Sequence, residues 1–330
     1  MKPTLDEVRE QTERGLDELL SAQGAPSESL RDIMRYSALG GGKRVRAFLA
    51  YAFYLACGGD DPRRVSYYAC ALEMVHAASL IHDDLPCMDN DDMRRGKPSC
   101  HKAYGEAGAL LAGDALFIKA FETVAANPLC TAAQNAEAVA FLARAAGPDG
   151  MCAGQMIDLE NEGRRVSLPL LRELDSLKTS CLIRAACALG CIAAGASGSL
   201  KDAAGEYAEQ LGIAFQIRDD IFDYGQGEIG KPVGIDLKEQ KITLPLIGAM
   251  NSASPERQEQ IRQMVRQIPE HPEYCDELQQ FARSHGGIEY ATRRLDDYIE
   301  EAVSALALFP DSKEKEVLAG LARYNAVRNK

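Results

Sequence analysis

Two short stretches concentrate carboxylates in a way that demands a chemical reason: DDLPCMD, from Asp83 to Asp89, and DDIFD, from Asp219 to Asp223. In the second, Asp219 and Asp223 are four residues apart and Asp220 and Asp223 three apart, so on a helix all three carboxylates share one face. Like charges so placed destabilise a bare helix, and here they abut the apolar run GIAFQI. A neutralising cation resolves the conflict. Carboxylate oxygens suit Mg²⁺, which takes one or two of them and completes its shell with water and phosphate oxygens. In the first stretch Pro86 separates Asp83 and Asp84 from Asp89, so the helix ends or loosens there and Asp89 can swing back toward the pair. One such motif alone reads as a solvated acidic helix end. Two, each preceded by an apolar segment (AASLI and GIAFQI), point to a cation site. Neither has the alternating ligands and central glycine of a calcium loop. The five histidines, His76, His82, His101, His271 and His285, form no HExxH pair for zinc.

Basic residues recur beside these acids. Lys43, Arg44 and Arg46 follow three glycines, Arg94 and Arg95 follow the first acidic stretch, Lys178 opens KTS, and Lys231 and Lys241 flank the loop after the second. A glycine-rich turn lets backbone approach a phosphate, and guanidinium forks suit bidentate phosphate contact. Singly, each is a surface solubiliser. Together, acids and bases around one cavity fit two anionic substrates, one held through metal and one directly.

The elements that must position these groups are helices. Helical spacing or Ala- and Leu-rich composition without alternation covers Leu5 to Ala22, Arg46 to Cys57, Val65 to Asp84, Glu106 to Ala126, Ala132 to Ala146, Leu170 to Ala194, Lys201 to Tyr224, Gln258 to Gln267, Tyr274 to His285 and Ile288 to Leu308. Breaks fall at GGGK, GPDG, GASGS and GQGEIGKPVG, none long enough to link domains. The expectation is one all-α domain over residues 1–330. Segments such as CLIRAACALGCIAAGAS are apolar around most of their circumference and belong in a bundle interior or at a subunit interface. The net charge of −12, from 37 Lys and Arg against 49 Asp and Glu, argues against nucleic acid, whose binding rests on phosphate neutralisation. The N-terminus lacks the apolar run of a signal peptide, and the longest apolar run, Ala185 to Ala196, is too short to span a bilayer. Ten cysteines without a CxxC pair fit a reducing cytoplasm.

The motifs GGKRVR, EMVHAASLIHDDLPCMDNDDMRRGKP, AGDAL, GQMIDLE, KTS, GIAFQIRDDIFD and GKPVGIDLKEQKITLPL run through almost the whole chain. In that order they resemble the trans-isoprenyl diphosphate synthases, the family of farnesyl and geranylgeranyl diphosphate synthases, in its short-chain bacterial and plant form. The resemblance implies a homodimer of all-α subunits of the isoprenoid synthase type, each a large helical bundle around a deep central cavity capped by the two acidic motifs. It implies Mg²⁺, three per active site with Mn²⁺ as a substitute, held by Asp83, Asp84, Asp89 and Asp219 with Asp220 and Asp223 nearby. Arg94, Lys178 and Lys231, with Lys241 close by, would bind an allylic diphosphate. Lys43, Arg46, His76 and Arg95 would bind isopentenyl diphosphate, and Thr179 and Gln216 would aim dipoles at a developing cation. Ala47 stands where proline is usual, and Phe222 where leucine is common.

Family members that stop at the C15 product carry an aromatic residue five positions before the first Asp. Here that position is Ala78, followed by Ser79, both small. A growing tail could pass this level, which favours the C20 product, geranylgeranyl diphosphate, over the C15 alternative, farnesyl diphosphate. Val75, Leu72, Phe117 and Phe121 are candidates for the pocket floor. Two rival readings differ in their needs. A class I terpene cyclase would not require Lys43, Arg46 and Arg95, and its second metal motif mixes Asn, Ser and Glu. A non-catalytic partner subunit would lose one acidic motif, whereas both are whole.

Overall fold

The computed structural model describes residues 4–21, 23–161, 170, 173–174, 176–225, 234–238 and 240–327. Among them nearly all regular structure is helical, and the reasons are local. Helix α1 (Leu5–Leu19) starts at Thr4, whose hydroxyl accepts from the Glu7 amide while the Glu7 carboxylate accepts from the Thr4 amide. Two of the orphan donors at the helix start are satisfied by that exchange. Helices α2 (Glu28–Ala38), α3 (Val45–Ala56) and α4 (Arg63–Asp83) follow, then a hairpin of β1 (Met93–Arg94) and β2 (Lys97–Pro98). Next come α5 (Cys100–Tyr104), α6 (Glu106–Ala125), α7 (Ala132–Ala146) and α8 (Met151–Asn161). A π-helical turn, Ser176–Ser180, leads into α9 (Cys181–Ala194) and α10 (Gly198–Asp223). The remainder is α11 (Ile235–Lys238), α12 (Leu244–Met250), α13 (Pro255–Arg266), α14 (Tyr274–Ser284), α15 (Gly287–Ala305) and α16 (Lys313–Val327).

The chain divides into two compact units. The first holds residues 1–147, 182–205 and 308–315. In it α4 packs on α1, α3 and α6, and its apolar residues are buried on several sides, including Leu72, Val75, Ala78 and Ile81. Low helical amphipathicity here is the signature of an interior helix. Small residues set two close approaches. A side chain at Gly113 of α6 would collide with the His82 ring, and one at Gly190 of α9 would collide with the Ala50 carbonyl of α3.

The second unit holds 148–181, 206–307 and 316–330. Its core joins Tyr224, Leu246, Ile261, Val265, Leu278 and Phe281. A Cβ on Gly154 of α8 would lie 2.5 Å from the Lys178 amide nitrogen, so α8 and the π-helical turn pack backbone to backbone.

Helices α2, α5, α8, α11, α12 and α16 were not anticipated from periodicity. For α2 the start signal is Ser27, whose hydroxyl accepts from the Leu30 amide. The stretch 176–194 is helical throughout, and by length and composition it is apolar enough to cross a bilayer, longer than the run counted over Ala185–Ala196. It is 72% buried inside the protein, as a core helix is. The β1–β2 hairpin departs from an otherwise all-helical expectation. Its turn residues Arg95 and Gly96 both have positive φ, 54° and 77°, the backbone of a tight two-residue turn that matches strand twist.

Candidate active site

In the first unit the acidic stretch begins where α4 stops. Asp83 is the last helical residue and Asp84 its cap, three and two residues ahead of Pro86. The chain then folds back: the Asp89 amide donates to the Asp83 carbonyl at 2.9 Å, and Asn90, at φ 51°, donates to the Leu85 carbonyl at 3.1 Å. Asp89 is exposed beside the half-buried Asp83, whereas Asp84 is buried.

The hairpin delivers two neighbouring arginines to different places. Arg94 forks onto Asp84, with Nε donating to Oδ1 at 2.9 Å and to Oδ2 at 3.2 Å and Nη2 also donating to Oδ1, and it reaches Asp91 at 3.1 Å. Arg95 points to the glycine turn, where Nη1 donates to the Gly41 carbonyl and Nη2 lies 3.4 Å from His76 Nε2. A guanidinium only donates, so His76 Nε2 accepts and its proton sits on Nδ1. Burial, with Arg46, Arg95, Arg44 and Arg94 close by, holds the His76 imidazolium well below its ordinary range, and the ring is neutral. Arg95 itself is lowered by burial and by Arg44. Four guanidiniums gathered around one neutral imidazole make a local concentration of positive charge that suits an anion.

The glycines are required here. Gly42 has φ 129°, and a Cβ on it would lie 2.8 Å from Arg95 Nη1. The next residue but one, Arg44, is left-handed at φ 51°, an uncommon backbone for a side chain of that size. What holds it is a buried ion pair. Arg44 Nη1 donates to Glu73 Oε2 at 3.0 Å and Nη2 to the Ala38 carbonyl at 2.7 Å, with both charged side chains almost wholly out of water. The second oxygen of Glu73 accepts from the Ala47 amide at 3.2 Å. Ala47, the residue found where proline is usual, thus supplies an N–H that proline lacks. This pairing fixes the start of α3, and with it Lys43 and Arg46. Glu73 is one turn before His76 on α4, so one carboxylate ties the glycine turn to the helix that ends in the acidic stretch.

Tyr36 of α2 holds the hairpin from outside, its hydroxyl donating to the Pro98 carbonyl at 2.8 Å and its ring edge-on to Tyr104. Between these parts lies a pocket lined by Ala77, Leu80 and Ile81 below and by Asp84, Arg94 and Lys97 above. Sequence reading missed Tyr36 and Glu73. A buried acid inside an apolar helix, ALEMV, was the available signal for Glu73.

The second unit carries the other acidic stretch at the end of α10. Gln216 Nε2 donates to Asp220 Oδ1 at 3.3 Å, and Asp220 is buried. Asp223 accepts from the Ile235 and Asp236 amides at 2.9 and 3.1 Å, so its carboxylate anchors the start of α11. Gln279 and Arg283 of α14 grip the same backbone: Gln279 donates to the Asp223 carbonyl at 3.0 Å, and Arg283 to the Tyr224 and Gly225 carbonyls, each at 2.8 Å. Neither was identified from sequence, because an isolated Gln or Arg on an amphipathic helix carries no signal. Lys178 lies in the π-helical turn and pairs with Asp158 at 2.6 Å, with Thr179 beside it. Such turns recur at functional positions. Lys241 follows α11, its amide bonded to the Asp236 carbonyl, and Lys231 lies outside the described residues.

Among the described residues no three His, Cys, Asp or Glu side chains stand together as a metal site. An all-oxygen set of one or two carboxylates fits Mg²⁺, whose remaining positions go to water and phosphate oxygens. Exposed Asp89, returned to Asp83 by the turn, offers such oxygens, while the Asp223 carboxylate is engaged with backbone amides.

The sequence pattern of the polyprenyl synthetases matches residues 27–281. Farnesyl diphosphate synthase of Haemophilus influenzae is 39% identical over 274 residues, covering 81% of this chain and 92% of that enzyme. Chloroplastic geranylgeranyl pyrophosphate synthase 3 of Arabidopsis thaliana is 46% identical over 232 residues, covering 68% of this chain and 64% of the plant protein. The crystal structure of geranylgeranyl pyrophosphate synthetase from Pyrococcus horikoshii superposes with a TM-score of 0.86 at 33% identity, covering 98% of this chain and 97% of that one. The chain belongs to the polyprenyl synthetase family, the trans-isoprenyl diphosphate synthases, and is a short-chain prenyltransferase.

Two outcomes follow from this geometry. Glu73→Leu leaves Arg44 buried without its counter-charge and should lower the unfolding free energy by about 3 kcal/mol in urea titration. The depressed His76 value has a definite sign. The unfolded chain takes up a proton near the ordinary imidazole value and the folded chain does not, so stability is full above about pH 7 and falls as pH drops. His76→Gln should flatten the acid side of a plot of urea midpoint against pH between about 7 and 5.

Proposed function

We propose that this prenyltransferase condenses isopentenyl diphosphate with C5, C10 and C15 allylic diphosphates and favours the C20 product, in one polyprenyl synthase domain over residues 1–330. The observation that carries the reading is the meeting of the glycine turn, His76 and Arg95 beside an acidic turn that Arg94 grips. One side offers positive charge for a diphosphate held directly, the other oxygens for a metal-held one. In this reading Lys43, Arg46, His76 and Arg95 bind isopentenyl diphosphate, with neutral His76 accepting from Arg95 and presenting its Nδ1–H. Arg94, Lys178, Lys231 and Lys241 bind the allylic diphosphate. Asp83, Asp84, Asp89 and Asp219 would hold Mg²⁺, with Asp220 alongside and Asp223 capping the start of α11. The metal would supply Lewis-acid stabilisation of the leaving diphosphate.

The side chains do the rest. Arg94 shifts part of its fork from Asp84 to the arriving diphosphate, and Lys178 from Asp158, so charge that builds on the leaving group meets preorganised donors. Gln216 and Thr179 turn carbonyl and hydroxyl oxygens toward the allylic cation. The double bond of isopentenyl diphosphate attacks that cation, a C–C bond forms, and the proton lost goes to the departed diphosphate. Apolar walls keep water from the cation.

For product length, Ala78 is wholly enclosed in the first unit, whereas Ser79 is half-buried and lies on the same stripe of α4 as His76 and Asp83, at spacings of three and four. The Ser79 hydroxyl is turned to the His76 carbonyl at 3.0 Å. Val75 and Leu72 are fully buried and Phe117 and Phe121 half-buried. Labelled isopentenyl diphosphate with each primer, followed by sizing of the dephosphorylated alcohols, tests the reading. The C20 alcohol should dominate, and Ala78→Tyr or Ser79→Phe should shift the product to C15. A C15 product from the unaltered chain makes it the farnesyl alternative.

The reading further places a homodimer in the cytoplasm. Supporting the dimer, α6 presents Leu110, Leu111 and Ile118 on one exposed face, with Ile118 70% accessible. Leu111→Asp with Ile118→Asp should halve the mass measured by light scattering; an unchanged mass excludes this face as the contact.

A further inference from the structure

Outside the proposed site, one pair of reactive side chains is brought together by the fold itself. Cys57 caps the C-terminus of α3, and Cys191 lies on α9, 134 residues later; their sulfurs share a hydrogen bond at 3.6 Å. The juxtaposition is imposed by backbone packing. Gly190, next to Cys191, abuts the Ala50 carbonyl so closely that no side chain fits between the helices, and Phe53 of α3 is locked edge-on against Phe309. Both segments belong to the first unit. Access is one-sided. Cys57 is part-exposed and followed by exposed Gly58, whereas Cys191 is fully buried. The shared hydrogen bond holds the Cys57 thiol below its ordinary value and raises that of Cys191. Of the two, the reachable sulfur is thus the one that loses its proton more readily. Neither Cys57 nor Cys191 is in a disulfide in the structure.

We propose that Cys57 and Cys191 form a site of covalent modification by low-molecular-weight disulfides, closing to an intramolecular disulfide that staples the end of α3 to α9. The Cys57 thiolate attacks one sulfur of the small disulfide; its S–S bond breaks, and one thiolate leaves with the electron pair and takes a proton. Cys191 then gives up its proton to solvent and attacks Cys57 Sγ, expelling the second small thiol. Two protein thiols are oxidised, and one small disulfide is reduced to two thiols. Bond formation requires the sulfurs to approach from 3.6 Å to about 2.05 Å.

The test uses the full chain with oxidised glutathione, quenched in acid, alkylated with N-ethylmaleimide and mapped by mass spectrometry. The expected result is one cross-linked peptide pair joining Cys57 to Cys191, reversed by dithiothreitol. With it the melting temperature should rise by about 4 °C or more, since the bond closes a long loop of the unfolded chain. Cys191→Ser should stop at a glutathione adduct on Cys57, and Cys57→Ser should leave Cys191 as a thiol. If Cys191→Ser fails to fold, Cys191→Ala gives the same readout. Three results overturn the proposal: a stable glutathione adduct on Cys57 in the unaltered chain, a cross-link between other cysteines, or Cys57 left free while exposed Cys87 and Cys152 react.

Discussion

Arg44 and Glu73 face each other almost without water, and most of what the first unit offers a ligand depends on that pair. Burying both charges is costly, and the gain is returned through geometry, because the Ala38 carbonyl, the Ala47 amide and both carboxylate oxygens are all drawn into hydrogen bonds around the pair. The pair holds a left-handed arginine backbone that would otherwise relax, and so fixes the glycine turn against Arg95. At position 73 the carboxylate faces the start of α3. Position along a helix is here a statement about chemistry.

The second unit solves the corresponding problem with neutral groups and one cation. Its acidic stretch is steadied through the backbone carbonyls of 223–225, which Gln279 and Arg283 take up, and through the Asp223 carboxylate, which caps α11. Carbonyl dipoles engaged by a guanidinium leave the nearby Asp219 and Asp220 in a backbone that cannot drift. Two acidic motifs that look alike in sequence therefore rest on different supports.

Much of this was legible from residue types and spacing. Helical periodicity located α4, α6, α7 and the long run to Asp223, because apolar spacing and burial are the same fact seen twice. Pro86 marked the end of α4 within three residues. What stayed hidden depended on contacts distant in sequence. Tyr36 and Pro98 are 62 positions apart, and Gln279 and Asp223 are 56 apart, so no local pattern announces them. The hairpin was missed for another reason: two-residue strands are too short to alternate, and Arg-Gly is a weak turn signal beside Asn-Gly. Asp223, grouped by spacing with its neighbours, is set apart by two amides that only the fold brings to it.

The hairpin turn has one further implication. Arg94 and Arg95 are adjacent in the chain, yet one serves a carboxylate and the other a carbonyl and an imidazole, because Arg94 ends a strand while Arg95, at φ 54°, already belongs to the left-handed turn. A single inserted residue between Met93 and Pro98 would displace this left-handed turn and with it the two guanidiniums, so the spacing of that hexamer constrains the enzyme as well as the identity of its residues.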